Sequence, residues 1–513
     1  MKLLIVCIVC LFVGACSSLP SGNIKLHEQL GLIELGSPFT DNMVLQQGTE
    51  VAIYGFGEQG ATVTVKGSWG AVSRTLVKSD GKWLLRLSTP KADKVAHSVS
   101  ISSANHIMLN NVLMGEVWLA SGQSNMEWPL SKTNEFEATL ANLDCTNIRL
   151  LNVARNPQVK QSDAMDGFWQ PCNKTLVTNF SAVAFHFAAT LNSDLDVPVG
   201  IIHSSFGGTR INPWRPLSAF ESNQQQIRDT NANIEKVLDR HKVLLAQGAS
   251  KNELQNNLRR APSFLYNGMI HPVVPYTLKG FIWYQGESNL FDGMHYAAKF
   301  KSLIKTWRER WTQDFKDPAA KLPFYFVQLA PYGYSKNPSR KVDTPYLLPL
   351  LRDGQASALD LPNTAMVVIT DNGDESDIHP RNKQVVGDRL AKLALRDTYH
   401  RDILADSPQL QDFQIIKDKV YLQFMYDNGL QSKDGGALSC FEIAGEDQVF
   451  YRARAVLVDG KVKLSSPDVS LPVAVRFAWH ELANPNLVNQ AGLPARSFRT
   501  DNWDIANLPD TAK

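Results

Sequence analysis

At 513 residues, with 44% hydrophobic and 20% charged side chains, the chain has the composition of a soluble globular protein and length for roughly three domains. A formal net charge of +2 and the lack of a basic stripe interleaved with aromatics exclude any compositional case for a nucleic-acid partner. No P-loop, dinucleotide fingerprint or His-Glu-x-x-His helix occurs, so nucleotide and zinc-hydrolase chemistry have no motif to stand on.

The chain opens with Met1-Lys2, an apolar run over residues 3–13 and Gly14-Ala15-Cys16. A short charged start, an apolar core and small residues at a cut site predict a secretory signal, too short to span a bilayer. Val13-Gly14-Ala15-Cys16 resembles a bacterial lipobox, which implies acylation of Cys16, processing of residues 1–16 and a tether over residues 17–24. Ser17 in place of Asp implies sorting to an outer membrane. The expected location is therefore periplasmic or cell-surface in a Gram-negative bacterium, with the membrane touched only through that lipid. An ordinary cleaved signal with Cys16 incidental is the alternative. Cys7 and Cys10 fall inside the signal, leaving Cys145, Cys172 and Cys440. Three cysteines cannot all pair, and none has zinc spacing. Cys145 and Cys172 either form one bridge in an oxidising compartment or stay buried thiols.

Residues 32–113 read as short alternating strands, such as 51–55, 61–65 and 82–87, with Ser79-Asp80-Gly81 as a turn. They predict a small β-sandwich. From residue 114 to about 405 the regime changes to apolar runs separated by helical stretches. Runs at 147–153, 197–203, 278–284, 323–329 and 364–370 predict strands of a parallel sheet covered on both faces. A helix capped by Ser181 covers part of it, with His186 expected as a satisfied core histidine. Residues 217–265 are polar and helix-prone, with Ile227, Ile234, Val237, Leu238 and Leu245 at near-helical spacing. They predict an inserted arm that walls one side of a site. A Pro/Tyr/Ser-rich loop over 331–349 is placed to overhang it. Residues 410–503 return to strands, as at 420–424 and 473–479.

The chemistry concentrates at four places. In Gly-Gln-Ser-Asn-Met, residues 122–126, an apolar strand ends abruptly at Ser124. Ser204-Ser205-Phe206-Gly207-Gly208-Thr209, Trp283-Tyr284-Gln285-Gly286-Glu287-Ser288-Asn289 and Asp377-Ile378-His379-Pro380 follow further along. Segments at the carboxyl edge of a parallel sheet converge, so all four can meet. A serine hydroxyl needs a base as it attacks, and histidine titrates in the right range. His379 stands among Asp371, Asp374, Glu375 and Asp377, just ahead of a helix expected to begin at Pro380. Gly-Gln-Ser-Asn-Met lacks the second glycine of Gly-x-Ser-x-Gly, which argues against an α/β-hydrolase elbow.

These motifs, in this order, resemble the SGNH (GDSL-like) hydrolases. Their wording is similar to that of the sialate O-acetylesterase branch, from about Pro38 to Trp503, through residues 41–46 and the terminal Gly-Leu-Pro-Ala at 492–495. The resemblance implies an α/β fold: an SGNH-like sheet flanked by helices, an N-terminal β-sandwich and a C-terminal β-region. It implies Ser124 as nucleophile, His379 as base and Asp377 or Glu287 as the third member. The wider family spaces that acid as Asp-x-x-His, whereas Asp377 stands only two before His379. Expected oxyanion donors are the N–H groups of Ser124 and Gly208 plus an amide, Gln285 or Asn289. Arg210, Asn212, Trp214 and Asn267 lie near these motifs as candidate pocket residues, Trp214 equally as core. The implied substrate is an O-acetylated sugar, cleaved without metal or organic cofactor. A polysaccharide acetylesterase and a non-catalytic carbohydrate-binding lipoprotein are the rival readings.

Overall fold

The computed structural model describes residues 32–312 and 322–504. The signal and Cys16 lie outside the described residues. Alternation of inward and outward side chains builds the N-terminal strands: Thr62–Gly67, for example, buries Val63 and Val65 and turns Thr62 and Lys66 outward. Glu34–Leu35, Glu50–Phe56 and Lys82–Ser88 form one antiparallel sheet. Thr62–Gly67, Val72–Leu76 and His97–Ser102 belong to another, which the long strand His106–Gly122 continues into the centre of the molecule.

That strand, β1, is 17 residues long. Its first part pairs antiparallel with His97–Ser102, its middle pairs parallel with Val44–Gln46, and its last part is the core of the central sheet. The boundary expected at 113/114 falls inside it. The remaining central strands are β2 (Ile148–Asn152), β3 (Trp169–Pro171), β4 (Val199–Ser205), β5 (Gly280–Tyr284), β6 (Phe324–Val327) and β7 (Thr364–Val367), in the order β3-β2-β4-β1-β5-β6-β7. All neighbours are parallel except β3 and β2. The sheet is thus mixed, and its apolar strands are buried because helices cover both faces.

Seven helices matter here: α1 (Ser124–Glu127), α2 (Ala182–Leu195), α3 (Gln224–Ala246), α4 (Lys251–Leu258), α5 (Tyr296–Thr312), α6 (Leu347–Ala356) and α7 (Gln384–Asp397). Trp118 of β1 packs on Phe187 of α2 at 5.1 Å between ring centroids. On the opposite face Phe281 and Trp283 of β5 meet Trp307 of α5 at 5.6 and 5.7 Å. Helices α2 and α7 touch closely at Gly387, where a Cβ would lie 2.6 Å from that of His186 and 2.8 Å from the Val183 carbonyl. His186 is buried, 3.6 Å from Glu135, which accepts the N–H groups of Lys383 and Gln384. Glu135 thereby caps α7, which begins at Gln384 and not at Pro380 as expected.

The inserted arm is a helical hairpin. Asn223 caps α3, a Ser250/Glu253 capping box starts α4, and the exposed α3 buries little beyond Thr230. Cys145 and Cys172 form a disulfide; Cys440 is free. The N-terminal strands share one continuous core with the central sheet. The C-terminal region carries two four-stranded antiparallel sheets around a separate core that includes Val420, Leu422, Ile443 and Phe477.

One buried carboxylate ties the first two regions together. Glu116 of β1 accepts from the amides of Gln46 (3.0 Å) and Gln47 (2.8 Å) and from the Tyr399 hydroxyl (2.9 Å) beyond α7. Gln46 in turn accepts the N–H of Val117. Replacing Glu116 by Ala strands these donors without partners; the expected loss of stability is about 2–4 kcal/mol, measured by urea unfolding.

Candidate active site

Strand β1 ends at Gly122, whose φ of +148° and close approach to the Tyr284 carbonyl (2.1 Å from a would-be Cβ) admit no side chain. The chain turns there and starts α1 at Ser124. Strand β4 ends at Ser205, opposite Gly122 in the ladder, and leads into Gly207-Gly208. A Cβ at Gly207 would stand 3.3 Å from that of Ser124, so this turn lies directly against the hydroxyl. Strand β5 delivers Gln285 to Asn289, and the chain beyond β7 brings in Asp377 and His379.

His379 Nε2 and Ser124 Oγ are 3.0 Å apart. The imidazole stacks on Trp128, with centroids 4.5 Å apart and planes 22° apart, and the Arg381 guanidinium sits 4.8 Å from the same indole. Asp377 Oδ1 lies 3.4 Å from His379 Nδ1 and accepts the His379 backbone N–H at 2.9 Å. Its other oxygen accepts from Arg381 Nε at 3.0 Å. Burial pushes the Asp377 carboxyl up, but the His379 N–H and Arg381 outweigh it and hold it below the usual range. Burial lowers the His379 pKa, and the Lys383 cation adds to this against the opposing pull of Asp377. The imidazole is therefore neutral at physiological pH, the state a base requires.

Glu287 occupies a different place. Its carboxylate accepts from Asn125, whose amide also donates to the Ile378 carbonyl at 3.1 Å. The Asn125 oxygen accepts from Lys383, which is fully buried. Burial brings Lys383 down to about 7 and raises Glu287. Glu287, Asn125 and Lys383 thus form a clamp on the residue next to His379. Asn125 stands in the Gly-Gln-Ser-Asn-Met motif and Lys383 at the cap of α7, yet sequence gave neither a role, because neither bears an obvious reactive function.

The remaining candidates divide. Gly207 gives its N–H to Glu127 at 2.9 Å, whereas the N–H groups of Ser124 and Gly208 have no acceptor among the described residues. Gln285 is fully buried, and its amide donates to Gln123, Thr209 and Asn289. It is not free to serve an oxyanion. Nor is Asn289, whose amide is held by Asp292 at 2.6 Å and whose oxygen takes the Ile211 N–H. Trp214 is core, bonded to Thr209. Asn267 ties down the backbone at Gln158 and Val159, and Asn212 receives Arg215, so neither points at the serine as a pocket residue would. Arg210 does line a cavity, of about 610 Å³, beside Gly208. Arg259 and Arg260, delivered by the end of the helical arm, and Arg340, from the loop over 331–349, line it too. Arg259 donates to the Gly207 carbonyl. These three arginines were not legible individually, although the arm and loop were expected at this wall.

A larger cavity of about 1250 Å³ lies at the opposite edge of the sheet, between the starts of β6 and β7 and the C-terminal region. Size notwithstanding, it holds none of these groups.

Residues 114–396 match the model of the family described as carbohydrate esterase, sialic acid-specific acetylesterase. The sialate O-acetylesterase of Rattus norvegicus is 29% identical over 499 residues, covering 86% of this chain and 88% of its own. That of Homo sapiens is 30% identical over 428 residues, covering 77% of each. The crystal structure of a carbohydrate acetylesterase from Xanthomonas citri matches with a TM-score of 0.79 at 31% identity, over 92% of this chain and all of that one.

A general base at His379 would work as the neutral imidazole, so kcat/KM for p-nitrophenyl acetate is then expected to rise with pH through a midpoint below about 6.5. Asp377→Asn removes the group that raises this midpoint, so the acid limb moves lower while the rate falls by at least about 10²-fold. Lys383→Met removes a cation that depresses it, so the limb moves up. Glu287→Gln keeps an oxygen for Asn125 and is expected to cost less than about tenfold. The pH profiles of the four proteins read all of this.

Proposed function

The chain belongs to the sialic acid-specific acetylesterase family of carbohydrate esterases, and from that premise we propose that Ser124 and His379 are its nucleophile and general base, with Asp377 as the orienting acid. It is a carboxylic ester hydrolase that removes O-acetyl groups from carbohydrate. The observation that carries the residue assignment is the 3.0 Å contact between Ser124 Oγ and His379 Nε2.

As Ser124 Oγ attacks the acetyl carbonyl, His379 takes its proton, and the oxyanion forms toward the N–H groups of Ser124 and Gly208. The imidazolium, steadied by Asp377, then protonates the departing sugar oxygen. Water, deprotonated by the same imidazole, releases acetate from the acyl-serine. Asp377 takes the third role over Glu287 because it faces Nδ1, whereas Glu287 is engaged by Asn125. Within the fold, the parallel strands and flanking helices form the SGNH-like unit, and the N-terminal strands a β-sandwich packed on it.

We infer that the substrate is a sialic acid type of sugar carrying a carboxylate. The named relatives support this, as do the cations Lys132 and Arg155 in the cavity that Ser124 and His379 line. Action beyond the inner membrane, with an anchor at Cys16, draws support from the Cys145–Cys172 disulfide, a bond that persists in oxidising compartments.

Ser124→Ala and His379→Ala are each expected to lower acetate release at least about 10³-fold with the circular dichroism spectrum unchanged. Wild-type kcat/KM is expected to be higher on O-acetylated sialic acid than on acetylated xylan. The reverse order would move the substrate to neutral polysaccharide.

A further inference from the structure

Ser124 stands between two cavities. The arginine-lined one lies on the Gly208 side. The other, about 570 Å³, is lined by Ser124 and His379 together, with Trp128 and Arg155 at its rim. In ester cleavage the imidazole must hand its proton to the leaving oxygen, so the alcohol half of the substrate lies on the imidazole's side. The sugar therefore departs through the second cavity.

Asn152, His203 and Ser205 also line this cavity. Asn152 Oδ1 is 2.7 Å from His203 Nδ1, and His203 Nε2 is 2.5 Å from Ser205 Oγ. An amide oxygen only accepts, so Nδ1 carries the proton and Nε2 is bare. The Ser205 hydroxyl must then donate to Nε2. Its hydrogen is committed, and only oxygen lone pairs remain for a ligand. Burial and the nearby Arg155 cation lower His203 to about 3, which keeps the ring neutral and this arrangement fixed across the working range. Phe180 closes against the ring edge at 5.3 Å. Ser205 sits opposite Gly122, one turn of chain from the nucleophile, and both it and His203 are about 95% buried.

We propose that Ser205 is a substrate-binding residue whose oxygen accepts a hydrogen bond from a free hydroxyl or amide N–H of the leaving sugar, with His203 and Asn152 as positioning residues. This rests on the esterase reading above. It makes the cavity selective for a sugar that still carries a donor beside the acetylated position, since a bare ester oxygen there would face a lone pair.

The test measures kcat/KM for O-acetylated sialic acid and for p-nitrophenyl acetate, which has no sugar donor. Ser205→Ala is expected to lower the ratio of the two constants about five- to tenfold. The inhibition constant of the deacetylated sugar against p-nitrophenyl acetate hydrolysis is expected to rise by the same factor. Ser205→Thr, which keeps the oxygen, is expected to hold the ratio within about twofold of wild type. Equal losses on both substrates, or an unmoved ratio, would overturn the proposal and leave Ser205 a structural residue. Failure of the esterase reading looks different: acetate release surviving Ser124→Ala.

Discussion

A hydroxyl and an imidazole separated by 255 positions in sequence stand 3.0 Å apart, and the surrounding structure exists to keep that distance. The serine is fixed by the end of a buried strand. The histidine is the harder part, because it rides on the connection between β7 and α7. That connection is pinned along its length. Arg389 of α7 grips Asp371 and the Val368 carbonyl at its start, Asn125 holds Ile378 in its middle, and Glu135 secures its end at Lys383 and Gln384. Helix α7 is packed without a gap on α2 through Gly387, so the connection inherits the rigidity of the core.

The charges around the imidazole are divided by depth. Asp377 is partly exposed and paired with Arg381, an arrangement that sets a carboxylate beside the His379 ring without burying an unpaired charge. Glu287 and Lys383 are buried and separated by Asn125, whose amide serves both at once. An amide with one donor end and one acceptor end is the side chain that can bridge a carboxylate and an ammonium while still reaching a backbone carbonyl. The two acidic candidates at the site thus differ in kind: one faces the His379 ring, the other holds the loop that carries it.

Much of this was legible in sequence because apolar runs and their abrupt ends are local. The central strands and the helical arm followed from periodicity and strand–turn punctuation, while the choice of Ser124, Gly208 and His379 as groups meeting at one sheet edge came with the family resemblance. What was not legible depends on orientation. Gln285 and Asn289 sit in the right motif, but their amides turn inward and saturate each other's hydrogen bonds. Trp214 and Asn267 are near in sequence and engaged elsewhere. The start of α7 was placed at Pro380 because proline favours a first turn, whereas the side chain of Glu135, far away in sequence, sets the helix start at Gln384. The pairing of Cys145 with Cys172 stayed open because spacing alone does not report the distance between β-strand neighbours.

The passage of β1 from the N-terminal sheets into the catalytic one changes what the N-terminal region can be. A module that evolution or an engineer could exchange needs a pliable seam, and here the seam is a hydrogen-bonded ladder clasped by Glu116. The strand that leads to Ser124 is held at its middle by residues 44–46 and at its far end by His97–Ser102. Swapping or deleting residues 32–105 would therefore loosen the very backbone from which Ser124 projects, so the two regions behave as one structural unit.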